Sequence, residues 1–134
     1  MTIENLVQLA RSPDYEDRRR AAAGLAAIGP GAPEGLLHAL LNDDRDTAVV
    51  EEAALGLLRR EDQWGLDLLL GTIAELEEDE LDLMMYFIAR AYTPDNVAGI
   101  GRLVQQRTRS SDPVLRESAK ELLEVLPWPP PGTE

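Results

Sequence analysis

The stretch Asp14-Tyr15-Glu16-Asp17-Arg18-Arg19-Arg20-Ala21-Ala22-Ala23-Gly24-Leu25-Ala26-Ala27-Ile28-Gly29 decides the reading of the fold. Its centre, Ala21-Ala22-Ala23-Gly24-Leu25, returns 32 residues later as Ala53-Ala54-Leu55-Gly56-Leu57, and the same shift carries Asp14 to Asp46. A further copy, Asp112-Pro113-Val114-Leu115-Arg116-Glu117-Ser118-Ala119, sets Asp112, Leu115 and Ala119 98 residues beyond Asp14, Asp17 and Ala21. That spacing is close to three periods of ~33 residues, and a period in this range marks stacked helical hairpins.

Each copy carries the chemistry of a helix start. Asp14, Asp46 and Asp112 stand where an aspartate can accept from the free N–H groups of a first turn and face the positive end of the helix dipole. Apolar or small residues follow at helical spacing: Ala21, Leu25, Ile28; Val50, Ala53, Ala54, Leu57; Leu115, Ala119, Leu122, Leu123. Gly29-Pro30-Gly31-Ala32-Pro33 is a strong stop, and Pro94 suits the first turn of a helix. The pattern predicts eight helices. A lead-in helix covers about 2–11, hairpins pair 14–28 with 33–42, 47–60 with 63–77 and 79–92 with 95–108, and a last helix covers 113–125. The run Met84-Met85-Tyr86-Phe87-Ile88 is apolar on more than one face and is expected in a central, buried helix.

These residues resemble the HEAT-repeat pattern, in particular its short bacterial form, which reads Asp-x-Asp-x-x-Val-Arg-x-x-Ala-x-x-Ala-Leu-x-x-Ile-Gly. In the first copy Arg18, Ala21, Gly24, Leu25, Ile28 and Gly29 fall in place, with Asp17 where valine is usual. The second copy keeps Asp44, Asp46, Val49, Ala53 and Leu57, and the last keeps Asp112, Leu115, Arg116, Ala119 and Leu123. The copy at 79–92 is degenerate and rests on spacing. The resemblance implies an all-α, right-handed α-solenoid of three to four HEAT-like hairpins over residues 1–126, with a Pro-rich tail at 127–134. It is nearly silent on function, because one fold serves many roles.

The formal net charge is -12, and it is not spread evenly. Residues 1–33 hold four acids and four bases, and residues 100–134 hold five of each. Residues 34–66 hold eight acids against three bases, and residues 67–99 hold eight against one. The densest run is Glu75-Leu76-Glu77-Glu78-Asp79-Glu80-Leu81-Asp82; a second group is Asn42-Asp43-Asp44-Arg45-Asp46. Both lie in turns between hairpins, and equivalent turns of a solenoid stack on one edge. Asp43, Asp44, Asp46, Glu77, Glu78, Asp79 and Glu80 are therefore expected to form an acidic ridge that steers and holds a basic protein. The plain alternative is a solvated surface with acids favoured at helix starts. By the resemblance, second helices line the concave face, so Trp64 is a candidate contact residue there. Its competing place is the core between hairpins.

Other chemistry is poorly served. There is no cysteine, hence no disulfide framework or thiolate zinc site. His38 is the single histidine, lies off the Leu37/Leu40/Leu41 stripe, and reads as a surface residue. Neither acidic run has the glycine and terminal glutamate spacing of a calcium loop. No catalytic residue, cofactor or metal ligand is assigned. A polyanionic nucleic acid is a poor partner for so acidic a chain. Apolar runs such as Leu83–Ala89 fall far short of the ~20 residues that span a bilayer, and Met1–Arg11 lacks the features of a signal peptide, so a cytoplasmic protein is expected.

The function expected from these features is a non-enzymatic interaction module or scaffold. One sharper alternative is an immunity protein or antitoxin that neutralises a basic toxin or nuclease. Another is a phycobilin lyase-like subunit, whose repeats the chain also resembles. The tail Pro127-Trp128-Pro129-Pro130-Pro131 reads as polyproline-like, with Trp128 folded over the last helix or offered to an aromatic groove.

Overall fold

A computed structural model of the protein describes residues 2–126; the tail at 127–134, and the expectations placed on it, lie outside the described residues. The described residues form eight helices: α1 (Ile3–Ala10), α2 (Tyr15–Ile28), α3 (Glu34–Leu41), α4 (Thr47–Arg59), α5 (Gln63–Ile73), α6 (Glu78–Ala91), α7 (Val97–Arg107) and α8 (Pro113–Val125). A 3-10 turn, Gly29–Gly31, fills the stop after α2, and the described residues contain no strand.

The starts are set locally. Asp14 accepts from the Glu16 N–H, Asp46 from Ala48, Asp112 from Val114 and Asp62 from Gly65, at 2.9–3.1 Å. Each satisfies a donor that a helix leaves open in its first turn. The copies at α2 and α8 match to the side chain. Ser12 Oγ accepts from Asp14 N–H while Arg18 donates to Ser12 O; Ser110 Oγ accepts from Asp112 N–H while Arg116 donates to Ser110 O.

Stacking then follows the repeat. Helices α2, α4 and α6 form one layer, and α3, α5 and α7 the other, with α1 laid along α2. The pair α2–α4 is in register: Arg19 reaches Glu52, and Arg60 donates to Ala26 O and Ala27 O. Leu25, Leu37, Leu41, Leu57, Leu69, Leu70 and Ile73 are fully buried between the layers. Each such side chain contributes about 1.5–3 kcal/mol over leaving it exposed.

Two glycines permit close approach, with different consequences. A Cβ on Gly56 would stand 2.8 Å from Ala26 Cβ, which its own backbone holds fixed. A Cβ on Gly24 would meet the methyl ends of Leu6, which can turn aside. Alanine at either site gains about 1 kcal/mol of helix propensity. At Gly56 an overpacking cost of about 1–3 kcal/mol outweighs that gain. Urea unfolding should therefore show Gly56→Ala destabilised by about 1 kcal/mol and Gly24→Ala close to wild type. Equal behaviour of the two would mean that α2 and α4 are not in tight contact at Gly56.

Beyond α5 the regular stack changes. Helices α6 and α7 are not packed side by side; α7 lies on α8 and α5, and α8 lies mainly on α7 and α5, with a lesser contact to α6. The bend between α6 and α7 is built by Asn96, which donates to Ala91 O and accepts from Thr93 N–H, while the Tyr92 hydroxyl donates to Val97 O. The expectation that α6 is a central buried helix is corrected here. It buries Met84, Phe87 and Ile88, but Asp79, Asp82, Tyr86 and Arg90 make an exposed stripe at helical spacing, and Tyr86 is 56% exposed. The most enclosed helix is α5, which buries Leu66, Leu69, Leu70, Thr72 and Ile73.

Candidate functional site

The acidic residues singled out in the sequence fall into two groups with different duties. In the turn between α3 and α4, Asp43 faces inward. Its carboxylate is 5% exposed and meets Arg18 Nε at 2.8 Å, while the other oxygen accepts from the N–H groups of Arg45 and Asp46. Burial by itself would raise this carboxyl. The Arg18 hydrogen bond, the two backbone donors and the Arg18 charge outweigh it and hold Asp43 below its ordinary value. Arg18 is itself 2% exposed. This pair is an internal fastening of the first repeat to the second. Asp46 is committed as the cap of α4, and Asp44 is fully on the surface.

The second group is free of such duties. Glu77, Glu78, Asp79 and Glu80 are exposed at the start of α6, and none of them makes an ion pair among the described residues. Glu77 occupies the cap position without capping, since its side chain takes no backbone N–H. Acids are favoured there by the helix dipole. His38 of α3 has its Nε2 2.7 Å from Glu75 Oε2, just past the end of α5. His38 is thus a surface residue, as the sequence indicated, and it also ties neighbouring second helices together.

Trp64 lies at the border between core and surface. It is half-buried and packs against the core, and with Gln63, Asp67 and Leu68 it lines an open groove of about 440 Å³. The Arg60 guanidinium lies over its ring at 5.3 Å. Asp67 pairs with Arg107 of α7 at 3.4 Å, so this face is mixed in charge. A second depression, at the end of α7, is lined by Arg102, Gln105, Gln106 and Arg109.

Sequence reasoning assigned Arg18 only a place in the repeat pattern and assigned Arg60 no role. A signal existed for Arg18: it lies three, four and seven residues before Ala21, Ala22 and Leu25, on the stripe that turns inward. Among the described residues no three acids or histidines gather as a metal-ligand cluster, and no helix is long and apolar enough to cross a membrane.

The family model described as HEAT repeats matches residues 3–82, which run from α1 into α6. No curated protein and no solved structure matches the chain.

Proposed function

Because this chain belongs to the HEAT-repeat family, which generally mediates protein–protein contact or scaffolding and is generally non-catalytic, we propose that it is a non-enzymatic adaptor that holds a basic protein surface. The contact surface in this reading is an acidic edge made by Asp44, Asp46 and the Glu77–Glu80 turn, with Asp43 serving beneath it. The observation that carries the reading is the exposure of Glu77, Glu78, Asp79 and Glu80 without internal cations, in a chain where Arg18, Arg19, Arg60, Arg90, Arg107, Arg116 and Lys120 all have acidic partners. Like charges held on a rigid edge raise the local potential and speed the encounter with an opposite surface.

The test is capture from the source cell on the wild-type chain and on a variant carrying Asp44→Asn, Glu77→Gln, Glu78→Gln, Asp79→Asn and Glu80→Gln. Asp43 is left intact, because its loss would unseat Arg18. The partner should be released by raising salt through the physiological range, and the variant should bind it at least about tenfold more weakly, at about 0.3–1 kcal/mol for each charge. Retention of the same protein at the same strength and salt dependence on the variant would remove the acidic edge from the interface.

A further inference from the structure

Two apolar residues interrupt the acidic run of 75–82, and both face the same hollow. Leu76 and Leu81 line an open groove of about 480 Å³ that α8 closes from the other side. Ile73, Ala74 and Val114 complete its apolar lining, and Val114 is 49% exposed. The α8 bank carries a net negative charge, with Glu117, Glu121 and Glu124 against the single cation Lys120. Lys120 and Arg116 both sit against Glu117, which leaves Glu121 and Glu124 without an ion pair among the described residues. Opposite α8, the chain that joins Leu76 to Leu81 is the exposed Glu77–Glu80 turn, which borders the groove without lining it. The groove arises because α8 lies mainly on α5 and α7 and meets α6 only in part.

We propose that this groove seats the apolar stripe of a basic amphipathic helix from the partner. The inference rests on the acidic-edge reading above and adds to it a site and a shape. Charge on both flanks of the apolar lining selects the occupant. A helix sets cations on either side of one apolar stripe, and their stems lie along the groove edges. An alternating strand puts its apolar residues on one face and its cations on the opposite face, away from both flanks. The lining residues of α8, Val114 to Glu124, span about 15 Å, close to three helical turns.

The experiment uses the full chain, labelled with ¹⁵N, and three synthetic probes. One is a 14-residue Leu/Lys peptide patterned with a single helical leucine stripe. The second has the same composition in strict alternation, and the third is oligolysine of equal length. The helical probe should bind at least about tenfold tighter than oligolysine and move the amides of Leu76, Leu81, Val114 and Glu121. Val114→Gln, an exposed change that spares the core, should weaken the helical probe about fivefold and leave oligolysine binding unchanged. Equal binding of all three probes, with shifts confined to 77–80, overturns the groove and leaves the acidic edge standing. Failure of every probe to bind overturns both. Groove amides that move on diluting the free chain indicate a second copy as occupant, and groove amides that move in Trp128→Ala without probe indicate the chain's own tail. Either result overturns the proposal.

Discussion

Arg18→Met should cost this fold about 3 kcal/mol or more, one of the largest single-site effects expected in it. The change keeps most of the side-chain volume and removes only the charge and its donors. It strands the Asp43 carboxylate, 5% exposed, with two backbone N–H groups and no cation, and it leaves Ser12 O without the Arg18 donor. Breaking one half of a buried pair is costly because the other half stays buried and charged, whereas replacing both halves is far cheaper. The double variant Arg18→Met/Asp43→Asn should therefore recover a large part of the loss, since asparagine still accepts from Arg45 and Asp46. Urea unfolding of the four proteins at neutral pH measures this. Losses that simply add would show that Arg18 and Asp43 do not act as a pair.

The same pair sets an acid dependence. The folded Asp43 carboxyl lies below its ordinary value, so its contribution is complete above the unfolded value of about 3.9 and disappears as pH falls through the folded one. The gap in stability between wild type and Asp43→Asn should be wide at neutral pH and begin to shrink once pH falls below about 4. A gap that stays constant down to pH 3 would contradict the assignment.

The contrast between Asp43 and the Glu77–Glu80 turn shows which part of this protein its sequence makes legible. Helix starts are local: an aspartate, then an N–H two or three residues on. Asp14, Asp46 and Asp112 were readable for that reason, and so was the solenoid that their spacing implies. The fate of Asp43 is not local. Its partner lies 25 residues away, and nothing in a run of acids distinguishes the one that turns inward. The α6 misreading has a related origin. A contiguous apolar run such as 84–88 covers several helix faces, and the exposed stripe appears only when Asp79, Asp82, Tyr86 and Arg90 are taken together. The groove at α8 was hidden for a third reason. Asp112–Ala119 repeats the start of α2 at Asp112, Arg116 and Ala119, yet α8 rests on α5 and α7 because α7 does not fold back along α6. The repeat fixes how a helix begins and leaves open which neighbour it meets.

Gly29→Ala should destabilise the protein by about 3–4 kcal/mol, and Arg60→Ala by about 2–3 kcal/mol, with strong coupling between them. Gly29 closes α2 at φ 79 and ψ -136, a conformation that only glycine adopts without strain of about 1–3 kcal/mol. A Cβ there would also stand 2.6–2.7 Å from the Arg60 guanidinium. That guanidinium has fixed work: it donates to Ala26 O and Ala27 O at the end of α2, pairs with Asp62 at 2.7 Å, and lies over Trp64. The last carbonyls of a helix have no partner within it, so Arg60 of the second repeat caps the first. Pushing it aside forfeits charge-assisted bonds of about 1.5–3 kcal/mol. In an Arg60→Ala background the clash vanishes, and Gly29→Ala should then cost only the backbone strain, about 1–3 kcal/mol. The four-protein cycle should thus fall short of additivity by about 1–2 kcal/mol. Strict additivity would mean that the guanidinium does not rest on Gly29.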